Sequence, residues 1–556
     1  MYGQLRIEKK IADLVLDAAD KAFSSGQISF GRDDIPAVET EIPKEEKFGD
    51  FSVNTAMKMS KTARMNPRQL AEILRENISD PSGFLLRTEI AGPGFINFFI
   101  SPEIFRSEIA EILNAQDDYG RLQPETEKSI NIEYVSANPT GPLHIGNARG
   151  GAIGDALANI YKIAGWNVTK EFYLNDSGNQ IIKFGQSLNA RFMQFFDADY
   201  PFPEDGYQGA DIIMLAENCL KEFGSGLKDV SEEERTAALT EYALEYNVGR
   251  MKKDLSDYGI NYDVWFSESS LYEGAVENMI SILRENGAVY EKDGALWFRA
   301  SDYGCEKDEV LLRSSTIPTY YAADIAYHYN KLAVRNFDAA VDIWGADHHG
   351  HVQRVKSALQ AAGIDPERLK IIIMQLVHLV DGGEALRLSK RKGQIAELSD
   401  LISETGTDAA RFTFNLYNAN THMDFDLGLA VRQSNENPVF YVQYAHARMK
   451  SIIRNVESDG LEADFSLLSE KTEMALIKKL GAYSKEIHMA ASEFDPSRIT
   501  KYAFDLAGQF HTFYNSCRVK HEDADLQRAR LSLVQASAFV LKNALNAVGI
   551  AAPEQM

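Results

Sequence analysis

Chemistry is concentrated in one stretch, Asn131-Ile-Glu-Tyr-Val-Ser-Ala-Asn-Pro-Thr-Gly-Pro-Leu-His-Ile-Gly-Asn-Ala-Arg-Gly150. A β-rich run, Ile130 to Val135, meets a turn-rich segment holding Asn138, Pro139, Gly141 and Pro142. A glycine-studded helix start follows, with Gly146, Gly150, Gly151 and Gly154. This pattern predicts strand, loop and helix N-terminus with a histidine at the junction. Free backbone N–H groups and the positive end of the helix dipole make such a junction a phosphate site. In His144-Ile-Gly-Asn147 a glycine lets the backbone approach a phosphate while His144 and Asn147 donate hydrogen bonds. Donors placed there stabilise charge that builds on an α-phosphate during displacement.

Other constellations are weaker alone. Asp347-His-His-Gly-His351 holds good zinc ligands, but adjacent side chains diverge and no second ligand cluster appears, so no structural metal is expected. Tyr320 and Asp324 stand at i and i+4 on one helix face and can approach a ligand together. Glu133 leaves its strand at the C-terminal end, where open α/β sheets bind ligands. Leu386-Arg-Leu-Ser-Lys-Arg-Lys-Gly393 is a glycine-flanked basic loop suited to clamping a developing pyrophosphate. Phe95 and Asn97, in Ala91-Gly-Pro-Gly-Phe-Ile-Asn97, could form an exposed platform for an unstacked base. Tyr441 to Lys450 and Phe510 to Lys520 mix aromatics with cations, the combination that reads single-stranded RNA; Tyr444, Arg448 and Arg518 are the candidates there.

The elements that must position these residues follow the chain. At 556 residues about three or four domains are expected. Residues 1–118 read as a small α+β unit with helices at Ile7–Ala22 and Pro67–Glu76. A polar linker precedes the opening stretch. Residues 119–190 give a βαβα rhythm with a second strand at Asn167–Asp176, predicting a parallel sheet with right-handed crossovers. Residues 191–290 read as a mostly helical insertion. The α/β pattern resumes over 291–380 with strands at Ala295–Ala300, Glu309–Ser314, Ala339–Gly345 and Leu369–Leu379. Residues 381–434 carry the basic loop and a connection, and 435–556 look all-helical.

Bulk composition, 45% hydrophobic and 25% charged, is that of an ordinary globular protein. No apolar run nears the ~20 residues that span a bilayer, and the first residues lack the apolar core of a signal peptide. Three scattered cysteines neither staple a fold nor space a zinc site. A reduced, cytoplasmic setting without membrane partners is the expectation. The net charge of −23 argues against nonspecific polyanion binding but leaves local phosphate-binding patches open.

The His144-Ile-Gly-Asn147 motif resembles the first signature of class I aminoacyl-tRNA synthetases, His-Ile-Gly-His, with asparagine replacing the second histidine. Its preamble from Glu133, together with Tyr173 to Gln180, Pro318 to His328, Trp344 to His351 and the terminus Ala551 to Met556, resembles the bacterial arginyl-tRNA synthetases from end to end. That resemblance implies a Rossmann-type α/β catalytic domain, an N-terminal α+β domain particular to the family and an all-α anticodon-binding domain. It implies an arginine–tRNA ligase that uses ATP, with Mg2+, to form arginyl-adenylate and charge tRNA(Arg), and that acts as a monomer. Arg387-Leu-Ser-Lys-Arg391 stands where such enzymes carry Lys-Met-Ser-Lys-Ser, which puts Ser389 and Lys390 on the phosphates and lets Lys392 replace missing charge. Pro139, Gly141, His144, Gly146 and Asn147 would line ATP. Asp347 and His348 would face its ribose and adenine, with Gln353 a further candidate. A guanidinium offers a planar fork that carboxylates accept bidentately; the resemblance assigns Tyr320 and Asp324 to it, and Ser136, Asn138 and Glu133 to the other end of arginine. A related nucleotidyltransferase would lack the helical C-terminus, and a silent tRNA-binding paralogue would lack the motif.

Overall fold

The computed structural model describes residues 2–124, 126–315, 317–382, 384–385, 397–457 and 460–556. The expectations for Ser389, Lys390 and Lys392 therefore lie outside the described residues.

At the N-terminus, helix Gly3–Ser24 buries Ile7, Ile11, Leu14 and Val15 on one face, the i, i+4, i+7 stripe that its sequence shows. It covers an antiparallel sheet ordered Thr40–Glu41, Phe51–Val53, Phe95–Ile100, Leu85–Ala91. Helix Pro67–Asn77 starts where proline is tolerated, with the Asn66 side chain accepting from Arg68 N at 2.9 Å. Helix Pro102–Ala115 leads out of this unit.

The middle of the chain builds a five-stranded parallel sheet. Its spatial order is Leu369–Met374, Ala339–Gly345, Ser129–Glu133, Asn167–Leu174, Val264–Ser267. The chain starts in the centre, builds outward to one edge, then returns to build the other. That reversal makes a topological switch point between the strands ending at Glu133 and Gly345, where such sheets bind ligands. The Ile145–Ile163 helix packs behind the central strand with fourteen buried residues, close enough that a Cβ on Gly154 would lie 2.2 Å from Tyr134 Cγ.

Three expectations change. The helical insertion (191–290) is interrupted after Asp257: Val264–Ser267 rejoins the parallel sheet as its edge strand, paired to Glu171–Leu174, before helix Ala275–Glu285. Ala295–Phe298 and Glu309–Leu312 stay out of that sheet and pair antiparallel with each other, the first also with Val289–Lys292. The run Leu369–Leu379 is two strands in two sheets, Leu369–Met374 and Val377–Asp381, the second parallel to Met423–Asp426. The break has a cause. Gln375 N donates to Ala419 O at 3.0 Å, and buried Arg149 donates to Gln375 O at 2.7 Å and Thr421 O at 2.8 Å.

Helices Ala210–Phe223 and Glu232–Asp257 form the insertion, packed on helix Asn179–Met193 around Phe184, Leu188, Phe192, Leu215 and Leu239. From Pro438 on, the described residues form five long helices and a short 3-10 turn. This bundle touches the N-terminal unit directly: Ser484 Oγ donates to Tyr2 O at 2.8 Å, and Lys485 pairs with Glu8 at 2.8 Å. Among the described residues no helix is long and apolar enough to cross a membrane.

Candidate active site

The central strand ends at Glu133, and the backbone turns at once. Val135 and Ser136 adopt φ of 71° and 39°, a left-handed conformation that is a marked outlier for a β-branched residue. Local strain of this kind persists only where surrounding bonds fix it. Ser136 Oγ donates to Glu133 Oε1 at 2.9 Å and accepts from Tyr173 N at 3.1 Å, while Tyr262 Oη donates to Tyr134 O at 2.9 Å. Beyond the turn, Asn247 of the insertion donates to buried Pro139 O at 2.8 Å. Exposed Asn138 donates to Gln180 Oε1 at 2.6 Å.

His144 caps the helix. Its Nδ1 accepts from Gly146 N at 3.1 Å, and its backbone N–H donates to Asn147 Oδ1 at 2.9 Å. Because Nδ1 is an acceptor, the neutral ring carries its proton on Nε2, which remains available as a donor. Partial burial lowers the His144 pKa from its ordinary value, which favours that neutral form. Asn147 is likewise divided in two: its oxygen is used in the cap and its amide N–H2 remains a donor. Gly146 permits this arrangement, since a Cβ there would sit 3.0 Å from His144 Cε1. Glu397, just past the basic loop, forms a β-bridge with His144, and Leu398 N donates to Leu143 O at 2.9 Å. Arg250 of the insertion pairs with Glu397. Glu397 and Leu398 are thus fastened beside His144 and Leu143.

Glu133 has a different employment from the one expected. It is 6% exposed, and its oxygens are engaged by Ser136 and by Lys331 Nζ at 2.6 Å. Fully buried Lys331 also reaches Asp342 Oδ1 at 2.7 Å. It points inward from a π-helical turn, Asn330–Val334, a local widening often found at functional sites. Burial works against ionising Asp342, but Lys331 and His328 outweigh it and hold its pKa down to about 2. Burial also opposes the His328 cation, yet Asp342 raises its pKa. His328 contacts Asp342 Oδ2 at 2.7 Å and the Asp324 carbonyl at 2.6 Å. Both partners only accept, so both ring nitrogens donate and the ring is an imidazolium. A continuous chain of bonds therefore runs from the Ser136 turn to the backbone of Asp324.

Helix Tyr320–Tyr329 is capped by Thr319, whose side chain accepts from Ala322 N. It carries Tyr320 and Asp324 at the switch point. Tyr320 is half exposed and its Oη accepts from Asn179 N at 2.9 Å. Gly178, at φ 83°, leaves it room; a Cβ there would be 2.6 Å from Tyr320 Oη. The Asp324 carboxylate meets His351 Nε2 at 2.6 Å. His351 ends the 3-10 turn Ala346–His351, on which Asp347 and His348 are exposed. The Gln353 amide turns to Ser357 Oγ at 3.2 Å. Among the described residues no group of three or more His, Cys, Asp or Glu could hold a metal.

Of the expected residues, the geometry gathers Ser136, Asn138, His144, Asn147, Tyr320, Asp324 and the 347–348 turn around the C-terminal ends of the sheet. It does not support the exposed base platform. Asn97 is 3% exposed, because Phe95–Ile100 is an inner strand covered on both faces; Phe95 is half-buried beside it. In the helical region Tyr444 is 39% exposed, stacked near Phe440 and His511 at centroid distances of 6.2 and 6.5 Å. Arg448 lies over the Tyr514 ring at 4.3 Å, and Arg518 is exposed. Sequence reasoning missed Lys331, His328 and Arg149. His328 was findable as the i+4 neighbour of Asp324; the other two carry no local signal.

A doubly wound parallel sheet with a His-x-Gly-Asn helix start at its switch point defines a class I aminoacyl-tRNA synthetase catalytic domain. Residues 108–426 match the family model for the "tRNA synthetases class I (R), catalytic domain", 7–100 the "Arginyl tRNA synthetase N terminal domain" and 442–556 the "DALR anticodon binding domain". The chain is 50% identical over 558 residues to the arginine–tRNA ligase of Caldanaerobacter subterraneus subsp. tengcongensis, covering 99% of each. It is 49% identical over 560 residues to that of Acetivibrio thermocellus, again covering 99% of each. It shares the fold of Thermus thermophilus arginyl-tRNA synthetase, with a TM-score of 0.76 at 23% identity over 98% of this chain and 100% of that one. The chain belongs to the arginine–tRNA ligase family.

Proposed function

We propose that the site joins arginine to ATP and then to tRNA(Arg), with the residues divided as follows. The arginine carboxylate attacks the α-phosphate of ATP, giving arginyl-adenylate and pyrophosphate. The 2′-hydroxyl of the terminal adenosine of tRNA then attacks the adenylate carbonyl and takes the arginyl group, breaking the mixed anhydride and releasing AMP and the hydroxyl proton. No protein nucleophile is needed; orientation and preorganised donors supply the rate. His144 through Nε2–H and Asn147 through its amide donate to phosphate oxygens, with Gly146, Gly141 and Pro139 shaping the approach. Ser389, Lys390 and Lys392 contact the leaving pyrophosphate. Asp347 and His348 face the nucleoside. Tyr320 and Asp324 take the guanidinium, and Ser136 and Asn138 take the α-amino and carboxylate end. Glu133 acts through Ser136, which it holds. Tyr444, Arg448 and Arg518 contact tRNA. Mg2+ arrives with the ATP phosphates, since it is bound mainly through substrate oxygens and water. A cytoplasmic monomer completes the reading.

The observation that carries it is the pairing, at one switch point, of a neutral donor-bearing helix cap with an acidic face at Asp324. The test is arginine-dependent ATP–pyrophosphate exchange with and without tRNA(Arg). Exchange with arginine is expected. Absence of exchange in both arms, with folded protein, overturns the enzyme reading; exchange driven by a different amino acid overturns the pocket alone.

A further inference from the structure

His351 looks like one more member of a histidine-rich turn, but its side chain is largely buried whereas those of His348 and His349 are exposed. Its Nε2 lies 2.6 Å from Asp324 Oδ2. An ionised carboxylate can only accept, so Nε2 carries the proton and donates it. The imidazole is itself held: Tyr321 meets it edge-on with centroids 5.9 Å apart and a 76° interplanar angle, and Trp344 lies 5.7 Å away. Its side chain is 18% exposed, that of Asp324 34%. A seated donor thus meets a carboxylate that still opens to solvent. Among the described residues no donor occupies Asp324 Oδ1.

The backbone of the same residue is held as well, since His328 donates to the Asp324 carbonyl at 2.6 Å. Two histidines grip one aspartate, one at main chain and one at side chain. A free aspartate on a helix surface samples several rotamers. A guanidinium fork needs both carboxylate oxygens in one plane and one direction, and rewards that geometry with parallel charge-assisted bonds. Fixing the carboxylate before the ligand arrives removes part of the ordering cost of binding.

We propose that His351 is a positioning residue for arginine recognition: it orients the Asp324 carboxylate toward the guanidinium by donating Nε2–H to Oδ2. This rests on Asp324 being the guanidinium's partner. His351 touches neither the reacting phosphate nor the nucleoside in this account. Its loss acts on arginine binding and spares the chemical step. The histidine-rich turn then has two faces, Asp347 and His348 outward and His351 inward to the amino-acid side.

The experiment is steady-state arginylation by the full chain, with KM for arginine and for ATP measured in His351→Phe, His351→Gln and Asp324→Asn. Phenylalanine keeps a planar ring of similar size without the donor; glutamine restores an N–H at similar reach. His351→Phe is expected to raise the arginine KM about ten- to a hundredfold, the value of a hydrogen bond to a charged group. His351→Gln should recover most of that, with ATP KM and kcat within about twofold in both. An unchanged arginine KM in His351→Phe, with Asp324→Asn impaired, overturns the role of His351 alone. An unchanged arginine KM in Asp324→Asn overturns the guanidinium reading beneath it. Equal rises in both KM values for His351→Phe, not restored by glutamine, mean the ring only supports the fold and also overturn the proposal.

Discussion

Replacing Lys331 by methionine tests the buried network most directly. The lysine Nζ meets Glu133 at 2.6 Å and Asp342 at 2.7 Å, and the three side chains are 0%, 7% and 0% exposed. Methionine keeps much of the stem volume, so the change removes charge more than packing. Breaking a buried pair by deleting one partner costs about 3–5 kcal/mol, because the remaining charge is stranded. Asp342 keeps His328 as a counter-cation, so most of that cost falls on Glu133. Burial already raises the Glu133 pKa against the pull of Lys331, with Asp342 adding to the rise. Without the lysine it rises further. A carboxyl whose native pKa exceeds its unfolded value destabilises the fold increasingly as pH climbs from the unfolded value through the native one. The variant should therefore be least stable at the alkaline end of a series from pH 5 to 8. All four tryptophans, Trp166, Trp265, Trp297 and Trp344, lie in the catalytic region, so urea unfolding followed by their emission reports this region specifically. A loss of about 3–5 kcal/mol is expected at neutral pH, with a substantial part recovered in the double variant Lys331→Met/Glu133→Gln. A loss below about 1 kcal/mol, or no recovery in the double variant, would refute the stranded-charge argument.

Other outcomes follow from single sites. Asn147→Ala removes both the cap oxygen and the free amide donor and should slow exchange about a hundredfold; Asn147→Asp keeps the cap but sets a negative charge toward the phosphates and should be slower still. The reverse order of those two exchange rates would mean that the amide donates to nothing. Gly154→Ala forces a methyl into the Tyr134 ring and should cost about 1–3 kcal/mol in the tryptophan-monitored unfolding, with no loss if the ring can slide. Tyr444→Ala should weaken tRNA(Arg) binding about five- to a hundredfold in a filter assay, the value of one stacked base; an unchanged affinity would remove this face from the interface.

The parts that were legible in the sequence are those whose signal is local. Ile130–Val135 and Ala339–Gly345 are short β-branched runs bounded by turn residues, and both appear as strands within two residues of expectation. Tyr320 and Asp324 share a face because helical spacing alone puts them there. The unread parts depend on residues far away in the chain. In Ile371 to Val380 the polar Gln375 is the one local hint of the break that Arg149 and Ala419 impose there, and a single polar residue does not end a strand by itself. Val264–Ser267 is four residues after a long helix, too short to announce a strand. In Phe95–Ile100 the single polar residue, Asn97, suggests an exposed position, yet it is buried with most of the strand. Glu133 looked free because Lys331 stands 198 residues later. His351 was visible only as a metal candidate; its true partner sits on a separate helix.

The order of the parallel sheet also dictates when the protein can come into being. Ser129 and Asp338, bonded at the base of the two central strands, are 209 residues apart. At about 5–20 residues per second, the ribosome delivers the second roughly 10–40 s after the first. Throughout that interval the signature strand has no partner on its switch-point side, and Glu133 has no lysine. The N-terminal unit waits longer, since Glu8 pairs with Lys485 477 positions on. The half-made sheet is consequently the most vulnerable nascent form, with an open edge of Ile130 and Ile132 to tempt other chains. The insertion helices, emitted during the delay and anchored to Pro139 through Asn247, can shelter the signature loop, but the exposed edge closes only when Ala339–Gly345 arrives.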